Sequence, residues 1–304
     1  MTTFSKLFAC LALLLCLSAA ARTNRVYFIG NSVTDTIRYD KLQAYAQLRG
    51  HAMPWGRQMI PGAPLEWLWQ HPGDGFQESP YSYPTNALPN YEWDCISLQP
   101  FDRLLYSDTN DAGNFIRISL PKNTNCQYYI YSRWPRQENF HPDFDGTWLT
   151  NYTGGWDNTN ETRDYFQKLL LALRGMWSNT PLVKTPLMVP VGDVLYALNQ
   201  KMKAGAIPGL TNIVQFYADG IHFNNTGAYV VGCTYYATLF KENPYGLPSE
   251  YYGLTNTAFA GIFQTTVWET VSTHPYSGVT VPEPLAGVLL LALGARLRRR
   301  PRRL

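Results

Sequence analysis

The sequence predicts an α/β fold: a mostly parallel sheet wrapped by helices. Strand-like apolar runs alternate along the chain with stretches of helical periodicity, the pattern of a parallel sheet whose crossovers are helices. The 304 residues are 45% hydrophobic and only 15% charged, enough apolar material for one large domain or at most two small ones. The first apolar run, Val26-Tyr27-Phe28-Ile29, leads straight into Gly30-Asn31-Ser32-Val33-Thr34-Asp35. A serine on a tight turn directly after a buried strand sits at the sheet's carboxyl edge, where open α/β sheets bind ligands.

Taken in order, residues 25–30, 56–60, 94–98, 127–132 and 186–191 read as strands, and 213–217 as a further short one. Periodic apolar spacing predicts helices at 39–50, 63–70, 160–177, 193–204 and 226–240. Residues 72–92 are rich in Pro, Gly, Ser, Tyr and Asn and read as a long surface loop; 135–158 reads as another. Loops of that length in a compact domain usually serve a function or are disordered, and these two flank the expected pocket. Residues 250–274 read as a closing helix and 275–284 as a linker, so the folded domain is placed at 22–274. No internal repeat is present.

The two ends read as addresses. Residues 1–21 form a secretory signal: Lys6, an apolar run from Leu7 to Leu17, then Ser18-Ala19-Ala20-Ala21 for cleavage. A membrane anchor is disfavoured because that run falls short of the ~20 residues a spanning helix needs. A lipid anchor at Cys16 is disfavoured by Leu15, where a small residue is wanted. The far end, 281–304, has three parts: Val281-Pro282-Glu283-Pro284, an apolar run from Leu285 to Ala295, and six arginines in the last nine residues. The order resembles the PEP-CTERM sorting signal of Gram-negative bacteria, which implies an exosortase as partner. It also implies an exported protein of the cell surface or extracellular matrix. On that resemblance the prolines would hold an extended backbone for a protease, the apolar run would make transient membrane contact, and the arginines would stay cytoplasmic. The alternative is a buried final helix with a basic end.

The formal net charge of +3 comes from these ends. Without Lys6 and the six terminal arginines, 18 basic residues face 22 acidic ones, a charge of −4. Nothing supplies the basic face a nucleic acid requires. With Cys10 and Cys16 in the leader, Cys95, Cys126 and Cys233 remain, an odd number that argues against a disulfide framework. They read as buried free thiols, or as one disulfide and a spare. His51, His71, His141 and His274 are scattered without zinc spacing, so no metal is implied, and no organic cofactor either.

The chemistry concentrates in two places. Ser32 is the candidate nucleophile, a weak one until a base takes its proton. Asp219-Gly220-Ile221-His222 offers that base on a loop, with Asp219 three residues before His222 to orient the imidazole. The alternatives are plain ones: Ser32 as a helix N-cap, and His222 as a surface-loop histidine with Asp219 as a turn former beside Gly220.

Gly30-Asn31-Ser32 joined to a late Asp219-x-x-His222 resembles the SGNH (GDSL-type) hydrolase superfamily over roughly residues 25–240. The usual first block is Gly-Asp-Ser, so Asn31 is a mild departure. The resemblance implies a flavodoxin-like three-layer α/β/α sandwich and a Ser32–His222–Asp219 triad. It also implies an oxyanion hole built from the Ser32 N–H, a glycine N–H and an asparagine side chain. Gly62, in Ile60-Pro61-Gly62-Ala63, is the matching glycine, unless it is an ordinary Pro-Gly turn. The third block should bring Gly-x-Asn-Asp after the third strand. Ile96-Ser97-Leu98-Gln99-Pro100 stands there instead, with Gln99 as the substitute donor, while Asn110-Asp111 lies about ten residues too far on.

Trp55, Trp67, Trp69, Trp134, Trp148 and Trp156 fall in segments near the expected active edge, as sugar platforms or as ordinary core. Asn151-Tyr152-Thr153 and Asn160-Glu161-Thr162 match the N-glycosylation pattern, which a bacterial exosortase substrate would normally ignore. The resulting expectation is an exported serine hydrolase acting on carboxylic esters, including O-acetyl groups on polysaccharide. The competing expectation is a non-catalytic glycan- or matrix-binding surface protein on the same scaffold.

Overall fold

The computed structural model describes residues 21–101, 104–137, 148, 151–158, 162–181, 183–255 and 257–280. The proposed leader (all but Ala21) and sorting signal, together with Asn160 and Glu161, lie outside them.

One sheet organises the chain. Its strands are β1 (Val26–Gly30), β2 (Trp55–Met59), β3 (Phe76–Gln77), β4 (Cys95–Leu98), β5 (Gln127–Ser132) and β6 (Leu187–Pro190). They lie in the order β3-β2-β1-β4-β5-β6, every neighbour parallel except the short edge strand β3. Leaving β3 aside, strand order reverses between β1 and β4. That is the topological switch point of a doubly wound sheet, the place beyond the strand ends where such sheets bind ligands.

Strand side chains alternate between two buried layers. Val26 and Phe28 of β1, and Tyr129 and Tyr131 of β5, enter one core. Tyr27, Ile29, Tyr128 and Ile130 enter the other. Helices α1 (Tyr39–Leu48), α6 (Val191–Lys203), α7 (Asn225–Phe240) and α8 (Ala260–Thr273) cover the first face. Helices α2 (Leu65–Gln70), α3 (Pro84–Asn90), α4 (Leu105–Ser119) and α5 (Arg163–Trp177) cover the second. The result is the expected three-layer α/β/α sandwich. Helix α7 is buried nearly all round, which explains its lack of a polar face.

Four differences from the sequence reading have physical causes. The described part of the proposed linker, 275–280, packs into the domain: Met188 N donates to Tyr276 O at 2.8 Å, and Ser277 and Val279 are buried. Residues 213–217 do not form a strand. Asn212 accepts from Val214 N and Gln215 reaches back, a capping box that turns Ile213–Phe216 into a 3-10 helix. The proposed loop 72–92 contains β3 and α3; α3 takes Pro84 in its first turn, where a missing N–H costs nothing. Helix α4 has no counterpart in the sequence reading because its buried face is largely polar or small: Asp108, Thr109, Asp111, Gly113 and Ser119 beside Ala112, Phe115 and Ile116.

The cysteines resolve one open alternative. Cys95, Cys126 and Cys233 are free and buried. Burial pushes the Cys95 thiol up to about 12 and raises the other two as well, so none is a ready thiolate.

Candidate active site

The carboxyl ends of β1, β2 and β4 meet at the turn that carries Ser32. A side chain at Gly30 would collide with Thr34 Oγ1 and come within 2.9 Å of Gln99 Oε1. The glycine is what allows β4's glutamine to pack against the turn. Ser32 does not cap a helix. Asn31 Oδ1 accepts from Val33 N at 3.0 Å, and Val33, with no side-chain cap, precedes the 3-10 turn Thr34–Ile37. The Ser32 hydroxyl is therefore left for another partner.

That partner is His222, whose Nε2 lies 2.8 Å from Ser32 Oγ across 190 positions of sequence. His222 Nδ1 lies 2.8 Å from Asp219 Oδ2. The other carboxylate oxygen, Asp219 Oδ1, accepts from Ile221 N at 2.9 Å and His222 N at 2.7 Å. Partial burial pushes the Asp219 carboxyl upward, but those backbone donors and the imidazole outweigh it and hold it at about 2. A carboxylate fixed on Nδ1 leaves Nε2 as the acceptor facing the hydroxyl, an arrangement that can move the serine proton onto the ring.

The loop bearing Asp219 and His222 is a closed turn. Tyr217 and Phe223 form an antiparallel bridge, Ala218 N donates to His222 O at 2.8 Å, and Asn224 N donates to Phe216 O at 2.8 Å. Asn224 then accepts from Thr226 N and Gly227 N and starts α7. The segment after β5 clamps the turn from outside. Trp134 Nε1 donates to Ile221 O at 2.8 Å, its ring stacks on Phe223 at 3.8 Å, and Gln137 N donates to Gly220 O at 2.5 Å. Tyr217 Oη donates to Pro135 O at 2.7 Å and accepts from Trp148 Nε1 at 2.8 Å.

Trp134 and Trp148 are therefore fully buried scaffold, which corrects their candidacy as sugar platforms. Trp55, Trp69 and Trp156 are half-buried, while Trp67 is exposed and stacks on His71 at 3.7 Å.

The expected oxyanion donors fare differently. Gly62 follows β2 in an exposed turn at φ +70°, a backbone conformation that suits glycine. Neither its N–H nor that of Ser32 makes a hydrogen bond among the described residues. Gln99 departs from expectation. It is fully buried; its Oε1 accepts from Asn31 N at 3.0 Å and Thr34 Oγ1 at 3.1 Å, and its Nε2 donates to Pro100 O at 2.6 Å. The Asn31 N–H requires an acceptor opposite it, which fixes the amide's orientation. Gln99 braces the turn from below and is not presented beyond the strand ends as a donor. Asn110 and Asp111 lie within α4.

Sequence reasoning missed two contributors. Trp134 carried no motif, because its partner Ile221 O is a backbone group 87 positions away. Asn31 was visible as a departure from Gly-Asp-Ser, but the bond from its Nδ2 to Ala63 O at 3.1 Å was not.

No family profile matches the sequence, and no curated protein matches it. Among solved structures, a DUF4886 family protein from Bacteroides uniformis ATCC 8492 is similar with a TM-score of 0.57 and 20% identity, over 85% of this chain and 97% of its own. A Slackia heliotrinireducens protein provisionally described as an SGNH hydrolase reaches 0.42 at 16% identity, over 70% of this chain and 97% of its own. A Streptococcus pneumoniae protein provisionally described as a platelet activating factor reaches 0.40 at 16%, over 79% and 92%. The first likeness establishes the fold alone, and the other two carry no argument about activity.

Proposed function

We propose that the chain is a serine hydrolase that cleaves carboxylic esters through an acyl-serine intermediate. One observation carries the reading: the Ser32 hydroxyl stands 2.8 Å from His222 Nε2, with Asp219 2.8 Å from the ring's other nitrogen.

In this mechanism Ser32 Oγ attacks the ester carbonyl carbon while His222 takes the hydroxyl proton, and Asp219 stabilises the imidazolium. The carbonyl oxygen becomes an oxyanion held by the unengaged N–H groups of Ser32 and Gly62. The imidazolium gives its proton to the departing alkoxide, leaving an acyl-serine. Water then repeats the sequence with His222 as base, releasing the acid and restoring Ser32. With Gln99 engaged elsewhere, the hole rests on two backbone donors. One absent donor costs ~2.7–4 kcal/mol of transition-state stabilisation, so a modest turnover rate follows.

The substrate class proposed first is an O-acetyl group on carbohydrate. Trp67, five residues beyond Gly62 and exposed, is a flat ring of the kind sugars stack on, with one face taken by His71. The signals at 1–21 and 281–304 support export and processing by an exosortase, with the C-terminal segment in transient membrane contact. The test is reaction of purified protein with a fluorophosphonate probe, then a screen of acetylated oligosaccharides for acetate release. Labelling and turnover that vanish in Ser32→Ala support the hydrolase. Undiminished glycan retention in Ser32→Ala and His222→Ala, with no acetate released, supports a binding protein instead.

A further inference from the structure

Asn31 ties three strand ends together. Its backbone N–H donates to Gln99 Oε1, beyond β4, at 3.0 Å. Its side-chain Nδ2 donates to Ala63 O, in the turn beyond β2, at 3.1 Å, while its Oδ1 accepts from Val33 N at 3.0 Å. Asn31 and Gln99 are fully buried and Ala63 nearly so, so water offers no substitute partners. Asn31 is the residue before Ser32, and Ala63 is the residue after Gly62. The Asn31–Ala63 bond therefore links the two turns whose backbone N–H groups stand unengaged.

We propose that Asn31 is a positioning residue that sets the separation of the Ser32 and Gly62 amides. The proposal rests on the hydrolase reading above, because only an oxyanion requires both donors at one distance. The amide is chemically specific for this role. One end must accept from Val33 N and the other must donate to Ala63 O. An ionised aspartate accepts at both ends and would set a carboxylate oxygen against the Ala63 carbonyl. Burial and that carbonyl both disfavour the charge, so the carboxyl of an Asn31→Asp variant would titrate well above the ordinary aspartate range. Once protonated it has one O–H and one C=O, which reproduces the amide's pattern.

The experiment compares wild type, Asn31→Asp and Asn31→Ala with p-nitrophenyl acetate across the pH range where wild type is active. At about pH 8, kcat of Asn31→Asp is expected to fall ~100-fold, the scale of losing one oxyanion donor, with little change in KM. The ratio of variant to wild-type kcat should then climb at least about tenfold as pH falls to about 5.5 and the carboxyl takes its proton. Asn31→Ala should be slow with a flat ratio, since it has nothing to protonate. A kcat for Asn31→Asp within about threefold of wild type at about pH 8 overturns the proposal, and so does a flat ratio or a loss confined to KM.

Deuterium exchange of the Ala63 amide, which donates to Ile60 O at 3.1 Å, reports the same tie without turnover. It should quicken at least about tenfold in Asn31→Asp at about pH 8 and return toward wild type on acidification. Unchanged exchange overturns the proposal. Should Asn31→Ala fail to fold, Asn31→Asp at the acid end still carries the comparison. Wild type that neither turns over nor labels at Ser32 sinks the hydrolase reading alone, and the exchange result then decides Asn31's structural tie.

Discussion

Replacing Asp219 by Asn isolates what the carboxylate does for His222. The asparagine Oδ1 can keep the bonds from Ile221 N and His222 N, at 2.9 and 2.7 Å, and the opposite rotamer would face donors with donors. The loop therefore stays closed, and the amide N–H points at His222 Nδ1, where the carboxylate lay at 2.8 Å. The ring is pushed into the tautomer with its proton on Nε2, aimed at Ser32, and no base remains for the hydroxyl.

The magnitude follows from the two bonds. A charge-assisted bond favours the working tautomer by ~1.5–3 kcal/mol, and the amide favours the other by ~0.5–1.5 kcal/mol. The swing is ~2–4.5 kcal/mol, or about 30- to 2,000-fold at ~1.4 kcal/mol per decade. The His222 side chain is 39% exposed and that of Asp219 56%, so water competes at both groups. The lower part of the range, about 30- to 100-fold in kcat, is therefore expected, against ~10⁴ for a triad with a buried aspartate. Steady-state hydrolysis of p-nitrophenyl acetate measures it, with Asp219→Ala alongside to show the added cost of releasing the loop. A kcat for Asp219→Asn within about threefold of wild type, or a change confined to KM, would refute the tautomer reasoning.

Trp134→Phe keeps a ring to stack on Phe223 but orphans the Ile221 carbonyl. It should cost ~1–3 kcal/mol in a urea titration and lower kcat about tenfold through a less settled His222 loop; unchanged kcat would confine Trp134 to the core. Asp219 is held at about 2, so above about pH 3 it stays charged and should add no proton of its own to the acid limb of kcat/KM. Its folded value lies below the unfolded value of about 3.9, so its contribution to stability is present above about pH 4 and fades as pH falls toward 2. Asp219→Asn should remove that part of the acid sensitivity of the urea midpoint, and an identical pH profile would contradict it. Cys95, Cys126 and Cys233 should resist a thiol reagent in the folded protein and react together on unfolding, because burial raises all three; fast native labelling at any of them would show a thiol more open than the packing allows.

The parts of the fold legible in the sequence are those where a strand or helix reports its own burial. Val26-Tyr27-Phe28-Ile29 is apolar at every position because both faces of β1 are covered. Helix α4 stayed hidden because its inward face uses Asp108, Asp111 and Ser119, and two of these, Asp108 and Ser119, find partners outside the helix. Tyr165 Oη reaches Asp108, and Ser119 Oγ pairs with Tyr128 Oη at 2.7 Å. A polar residue that is satisfied at a distance looks, in a linear reading, like a solvated one.

The same division runs through the site. By itself the sequence determined the Asp219–His222 unit, since three residues on a turn bring a carboxylate, two backbone N–H groups and an imidazole together locally. It also determined that a serine would follow the first strand. Only the tertiary structure decided that this serine meets that imidazole, that Gln99 turns its amide inward, and that Asn31 reaches Ala63. A short-range hydrogen bond is written in residue spacing. The direction of a buried amide is set by whichever donors and acceptors distant strands bring beside it, and those neighbours exist only once the sheet has formed.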